Sequence, residues 1–294
     1  MKYYVVDAFT GPGFLGNPAG VCVVDEWPSS AVMQSIAAEN NLSETAFVVK
    51  RQGFYDLRWF TPETEVDLCG HATLGTSCVI ARFVEPGAQS IIYHSNSGVL
   101  TVERTGENSF LMDFPVRILR PVTLPRELTD ILGVSPLETF LSRDLFVVLE
   151  SEKQVRSLNP DFTAMKTLEQ GEGIIVTARG KHYDFVSRCF YPKFGINEDP
   201  VTGSAHCNLI PYWATRLGKT EMTGAQLSHR GGLLHCKLRD GRVGVGGETK
   251  LYLTGEIVNS PVNENEIGPE ASNHGIKENK GSLLRLPGGK HVRN

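Results

Sequence analysis

One element of this chain is written twice. Phe60–Thr73 (FTPETEVDLCGHAT) returns, loosely reworded, as Phe190–His206 (FYPKFGINEDPVTGSAH). Each copy follows an alternating apolar run, Tyr55–Phe60 in one and Tyr183–Phe190 in the other. Each then carries Pro, an acidic loop ending in Asp, a step through Gly, and a long apolar segment of helical character. Pro62 and Pro192 lie 130 positions apart, and Gly70 and Gly203 lie 133 apart. One such element per half predicts two similar lobes, with the two glycine turns facing each other across a cleft that suits a small molecule.

The boundaries expected from this reading are an N-terminal lobe at residues 1–115 and a C-terminal lobe at 116–258. A polar stretch, 259–294, has little periodicity and is expected to be disordered. Apolar alternation predicts strands at Tyr3–Phe9, Ala19–Val24, Thr45–Val49 and Tyr55–Phe60, then at Ser90–Tyr93, Val99–Glu103 and Ser109–Phe114. A helix is expected from Pro28 to about Asn40, with Val32, Met33, Ile36 and Ala37 on one face. His71–Val84 is apolar nearly all round, the pattern of a helix buried within its lobe. In the second half, short helices are expected near Leu124–Leu132, Glu152–Leu158 and Asp161–Thr167, with strands at Leu145–Glu150, Gly173–Thr177 and Tyr183–Phe190. Ser204–Leu217 reads as the second buried helix, kinked by Pro211. Strands follow at Gln226–His229, Leu233–Leu238, Arg242–Val245 and Lys250–Ile257. The fold class is α+β: two pseudo-symmetric lobes, each a curled, mostly antiparallel sheet around one helix.

Composition narrows the function. A formal charge of −4, with no basic run interleaved with aromatics, leaves no footprint for nucleic acid. No apolar run is long enough for a membrane span. Six cysteines show neither CxxC nor a His spacing suited to zinc, so no metal is expected, and a reducing cytoplasmic setting fits them. Gly11, Gly13 and Gly16 spell GxGxxG after a strand. The segment that follows is another strand, VCVV, and not the helix a dinucleotide fingerprint opens.

The candidate chemistry gathers at the two glycine turns. Helix N-termini carry unsatisfied N–H groups and partial positive charge, so a pair of them aimed at one cleft suits a small anionic metabolite. Gly70 and Gly203 would allow close approach, and His71 and Ser204 follow them directly. The alternative is simple capping by Asp67, Thr202 or Ser204. Strand periodicity places Glu44 on one face with Ala46 and Val48, where apolar surroundings raise a carboxyl pKa and suit it to acid–base work. The bland alternative is a solvated turn glutamate. Aligned on glycine, Cys69 falls opposite Thr202, so a two-thiol mechanism lacks its second member, and Cys69 as a small buried hydrophobe is the better reading.

The order GNPAGV (Gly16–Val21), NLSETAF (Asn41–Phe47), LRWFTPETEVDLCGHAT (Leu57–Thr73), EDPVTGSAH (Glu198–His206) and SHRGG (Ser228–Gly232) resembles the PhzF-like family of phenazine biosynthesis. The resemblance spans about residues 1–258. It implies a diaminopimelate-epimerase-like fold and a cofactor-free isomerisation of a small cyclic dihydro-hydroxyanthranilate. It further implies Glu44 as general acid/base, with His71 and Asp199 orienting the substrate and tuning Glu44, and Ser43, Gly70, Gly203 and Ser204 in the cleft. Related epimerases carry cysteines at the positions of Cys69 and Thr202, and this chain departs from them at the second. The expected activity is therefore isomerisation of a carboxylate-bearing metabolite without metal or organic cofactor. An epimerase or dehydratase using Cys69 and Thr202 is the alternative, as is a non-catalytic binding relative. A homodimer is the candidate assembly.

Overall fold

The computed structural model describes residues 1–258. The first half holds strands β1 (Lys2–Thr10), β2 (Asn17–Val24), β3 (Glu44–Lys50), β4 (Tyr55–Phe60), the short β5 (Glu65–Val66), β6 (Ser90–Ser95), β7 (Gly98–Arg104) and β8 (Ser109–Pro115), with helices α1 (Ser30–Asn40) and α2 (Gly70–Val79). In the second half come β9 (Arg120–Pro121), α3 (Leu128–Leu132), β10 (Glu138–Leu141), β11 (Leu145–Val148), α4 (Glu152–Ser157) and α5 (Phe162–Met165). They are followed by β12 (Ile174–Arg179), β13 (Phe185–Tyr191), β14 (Ile196–Asp199), α6 (His206–Leu217), β15 (Glu221–Gln226), β16 (Gly232–Arg239) and β17 (Arg242–Glu256). The expected polar tail, 259–294, lies outside the described residues.

Pairing in the first half closes on itself. β17 meets β1, which meets β2, and the ladder continues through β3, β4, β6, β7 and β8 back to β17. Only β2–β3 and β4–β6 are parallel in this ring. α2 packs against β1, β2, β3, β8 and β17, and all ten of its residues are buried. A helix so enclosed must satisfy its own polar side chains. Thr73, Thr76 and Ser77 each donate back to the carbonyl four residues earlier, and Ser77 also meets the Tyr93 hydroxyl at 2.8 Å. The two faces of β3 divide as a pleat requires. Ala46 and Val48 join the central core, while Phe47 packs outward with Met33 and Ala37 of α1.

The second sheet starts from the same long strand, running from β17 through β16, β15, β13, β12, β11 and β10 to β9. Among the described residues it does not close. Its helix α6 is buried over His206–Ile210 and again at Trp213 and Ala214 but shows Thr215 and Arg216 to solvent, so it copies α2 less fully than expected. Pro211 has no N–H for the Cys207 carbonyl. The Arg117 N–H fills that place at 3.1 Å, clipping the link between β8 and β9 to the helix.

Several expected boundaries move. The second helix opens with a 3₁₀ turn, Gly203–Ala205, and becomes α-helical only at His206. α2 ends at Val79 and passes into a π-turn, Ile80–Val84. The strand expected at Gln226–His229 is instead Glu221–Gln226, because the chain after Gln226 turns to meet the Gly11–Gly16 loop. Two strands expected at 242–245 and 250–257 are the single β17. Gly246 and Gly247, which fall between the two expected ranges, are where strands crowd. A Cβ on Gly246 would stand 2.5 Å from the Phe110 carbonyl oxygen, and one on Gly247 would stand 2.8 Å from the Phe9 ring. β10 and β14 carry little alternation of their own and were not expected from sequence.

Candidate active site

The loop between β1 and β2 sets the first residue. Gly16 has φ of +75°, and a Cβ there would stand 2.3 Å from the Ala8 carbonyl oxygen, so only glycine makes this turn without strain. Arg230 holds the loop from the other half, donating to the Gly16 carbonyl at 2.8 Å and to Asp7 at 2.8 Å. The turn delivers Asn17, fully buried, at the start of β2. In parallel register beside it, Ala19 pairs with Glu44, the first residue of β3. The second half contributes Asp199 at the end of β14. Its neighbour Glu198 is held by a fork of bonds from Arg188, at 2.6 and 2.9 Å, which also donates to the Leu158 carbonyl at 2.7 Å. Adjacent residues on a strand point oppositely, so anchoring Glu198 to Arg188 turns Asp199 towards the glycine turns.

The two turns meet as the repeat predicted. A Cβ built on Gly70 would lie 3.5 Å from the Gly203 Cα, and one built on Gly203 would lie 3.5 Å from the Gly70 Cα. Neither helical start receives a side-chain cap: Cys69 precedes one and Thr202 the other. The capping alternative therefore finds no support at either turn, and both starts keep N–H groups for an anion. Ser204 sits half-buried beside Gly203.

Titratable groups form a chain beside this junction. His71 Nε2 lies 3.2 Å from Glu44 Oε2, a bent contact, and neither buried atom has another partner among the described residues. The Glu44 side chain is 15% exposed and that of His71 6%, so the solvated-turn reading of Glu44 does not hold. Burial pushes the Glu44 carboxyl up to about 8, with the nearby Asp199 charge adding to the rise and a Cys69 hydrogen bond opposing it. Burial pushes His71 down to about 3, opposed by the Pro18 carbonyl, so the ring is neutral at ordinary pH. Asp199 is also raised, first by burial, while bonds from Thr202 and Asn17 favour its ionised form. Asn17 Nδ2 stands 3.2 Å from His71 Nδ1 and donates to Asp199 Oδ1 at 2.9 Å. Ser43 approaches Asn17 Oδ1 at 3.5 Å.

Cys69 differs from its sequence reading. It is buried, as expected of a small hydrophobe, but its Sγ lies 3.4 Å from His71 Nδ1 and so belongs to the site. Burial first, and the Glu44 carboxylate second, hold its thiol well above the ordinary value. Across the junction Thr202 donates its hydroxyl to Asp199 Oδ2. Glu44, Cys69 and His71 offer donor atoms within 4.8 Å of one another. Glu44 meets Nε2 and Cys69 meets Nδ1, opposite nitrogens of one ring. That arrangement suits shared protons better than chelation of one ion.

Sequence reasoning named Glu44, His71, Asp199, Ser43, Gly70, Gly203 and Ser204, and the fold brings all seven to one junction. It passed over Asn17 and Gln226. Gln226 accepts from the Thr202 N–H at 2.9 Å and donates to the Asp199 carbonyl at 2.8 Å, fixing the second turn. A buried Asn directly after a positive-φ glycine was the available signal for the first. Nothing local marked the second.

The sequence matches the phenazine biosynthesis-like protein pattern (PhzC-PhzF) over residues 6–260. The chain belongs to this family. An uncharacterized isomerase of Pseudomonas aeruginosa is 48% identical over 257 residues, covering 87% of this chain and 98% of that protein. A crystal structure of a PhzF-family phenazine biosynthesis protein from Enterococcus faecalis superposes with a TM-score of 0.85 at 49% identity, covering 88% of this chain and 99% of that one. A probable proline racemase from Agrobacterium radiobacter shares the fold alone, with a TM-score of 0.59 at 8% identity over 90% of this chain and 94% of that one. The α+β architecture of family members and racemases is thus the architecture of this chain. Isomerase is the general activity that the family relationship supports.

Among the described residues no helix is long and apolar enough to cross a membrane.

Proposed function

We propose that this chain isomerises a small carboxylate-bearing metabolite by moving one proton through Glu44, without metal or organic cofactor. The observation that carries the reading is the Glu44–His71 contact at 3.2 Å, set where the two uncapped helical starts meet. The substrate carboxylate binds at those starts, and Ser43, Ser204, Gly70 and Gly203 line its place. Ionised Glu44 removes a proton from one carbon. The C–H electron pair becomes part of a new double bond, and the electrons of the old double bond take the proton back at a second carbon. A carboxyl group whose pKa stands near 8 can both accept and release that proton near neutrality. His71, neutral and beside Oε2, holds the carboxyl in place, and Asp199 sets the local field.

The thiol alternative has less support. Cys69 is held protonated by burial, and the Thr202 hydroxyl is committed to Asp199. The test uses a panel of small unsaturated and hydroxy carboxylates in deuterated water, followed by proton NMR. Glu44→Gln is expected to lower turnover about 10²–10⁴-fold, the usual worth of general acid–base catalysis. Cys69→Ser should stay within a few-fold of the wild type. Near-normal turnover in Glu44→Gln with loss in Cys69→Ser would transfer the chemistry to the thiol. Binding across the panel without any turnover would make the chain a binding relative.

A further inference from the structure

The second glycine turn is gripped by side chains that the proposed proton transfer leaves idle. Thr202, which precedes it, is buried, and each of its polar groups has a partner. Its N–H donates to Gln226 Oε1 at 2.9 Å, and its carbonyl oxygen stands 2.9 Å from His206 Nδ1. A carbonyl only accepts, so Nδ1 carries the proton there. Gln226 Nε2 donates to the Asp199 carbonyl at 2.8 Å and to Thr202 Oγ1 at 3.2 Å, while Oε1 also takes the Cys189 thiol proton at 3.7 Å. Turning that amide over would set its oxygen against the Asp199 carbonyl and its N–H against the Thr202 N–H, so its orientation is fixed. The two Nε2 protons serve the two oxygens, which makes Thr202 Oγ1 an acceptor from Gln226. The hydroxyl's own proton is left for Asp199 Oδ2, and that bond is the one formed.

Asp199 has no cation to hold its charge. The titratable groups around it are Glu198 on its own strand, Cys189 and Tyr191 on β13, Glu44 on β3 and Cys69 just before α2. His71, neutral, lies beyond Asn17. Arg188 is engaged by Glu198, and Arg143, over the Tyr191 ring, by Asp144 and Glu172. Among the described residues two side chains donate to the Asp199 carboxylate, Asn17 to Oδ1 and Thr202 to Oδ2. A proton on Oδ2 would meet the hydroxyl proton head-on, so the Thr202 bond favours the ionised form.

We propose that Thr202 is a positioning residue of this site: clamped by Gln226 and His206, it turns its hydroxyl proton onto Asp199 and keeps that carboxylate ionised near Glu44. It is therefore not the acid or base of a pair with Cys69. The consequence for turnover rests on the proton-shuttle reading above. The hold on Asp199 does not.

Carboxyl-carbon NMR on the full-length protein labelled with ¹³Cγ-aspartate tests this without any ligand, with Asp199→Asn assigning the signal. Thr202→Val keeps the side-chain shape and removes the hydroxyl. Its Asp199 titration midpoint is expected to rise by about one pH unit above the wild type, the usual weight of one hydrogen bond to a carboxylate. Thr202→Ser keeps a hydroxyl and should titrate like the wild type, a recovery that a merely space-filling Thr202 would not give. Where Thr202→Val does not fold, Thr202→Ala takes its place with the same expected rise. An unmoved midpoint in the variant that folds overturns the proposal, as does an equal rise in Thr202→Ser. Should Glu44→Gln keep its turnover while Asp199 titrates as expected, the function reading fails and the positioning role of Thr202 stands.

Discussion

If Glu44 is held protonated by burial, folding stability must depend on pH in a window where, among the described residues, its titration dominates. Its carboxyl stands near 8 in the folded chain against 4.5 when unperturbed. Between those values the folded state keeps a proton that the unfolded state releases. The stabilisation is complete below 4.5 and is lost as pH rises through about 8. His71 and His206 act in the opposite sense. Burial lowers them from 6.5 to about 3 and about 4, so they add stability as pH rises through 6.5 and gain only about 0.4 kcal/mol each beyond it. From pH 6.5 to 8 the Glu44 contribution therefore outweighs theirs. A pKa unit corresponds to about 1.4 kcal/mol, so the wild type should lose about 2 kcal/mol across that window relative to Glu44→Gln. For a chain of this size that is a fall of about 4–8 °C in Tm. Glu44→Gln removes the titration and keeps the shape, so it should show little change over the same window. Urea denaturation of both proteins at pH 6.5 and 8 measures the difference. Parallel behaviour of the two would refute a buried, proton-holding Glu44, and the acid–base argument would go with it.

Two further outcomes follow from the same geometry. If ionised Glu44 begins the cycle, kcat/KM should rise with pH and level off above about 8. A flat profile from pH 6 to 9 would remove Glu44 from the rate equation. The glycines should separate by role in denaturant titrations. Gly16→Ala, at φ +75° with a carbonyl oxygen 2.3 Å from the new Cβ, should cost at least about 2 kcal/mol. Gly70→Ala meets only ordinary contacts at 3.5 and 3.7 Å and should cost under about 1 kcal/mol, while lowering turnover because its methyl enters the gap between the turns. Equal destabilisation by the two substitutions would refute this division.

The elements legible in the sequence are those whose cause is local. An apolar run without a polar face placed α2 inside its sheet. Strand alternation put Glu44 on the face of Ala46 and Val48, and the repeated motif set Gly70 against Gly203. Where strands crowd against glycine, the expected boundaries failed. Gly246 and Gly247 carry no local sign that other strands cross against them, so β17 was read as two pieces. β14, with little alternation, owes its place to Arg188 on β13 holding Glu198.

The sequence alone thus determined which residue types stand at the two turns, and that the turns form a pair. What those residues do to one another was decided only by the tertiary structure. Asn17 and Asp199 are 182 positions apart, and no periodicity links them, yet one amide joins them. Cys69 read as a core residue because its burial is a local property, whereas its contact with His71 depends on where the helix start sits in the closed sheet. The protonation of Glu44 is likewise non-local. A carboxyl pKa follows from how completely water is excluded and which charges stand nearby, and both are fixed only when the two halves close around it.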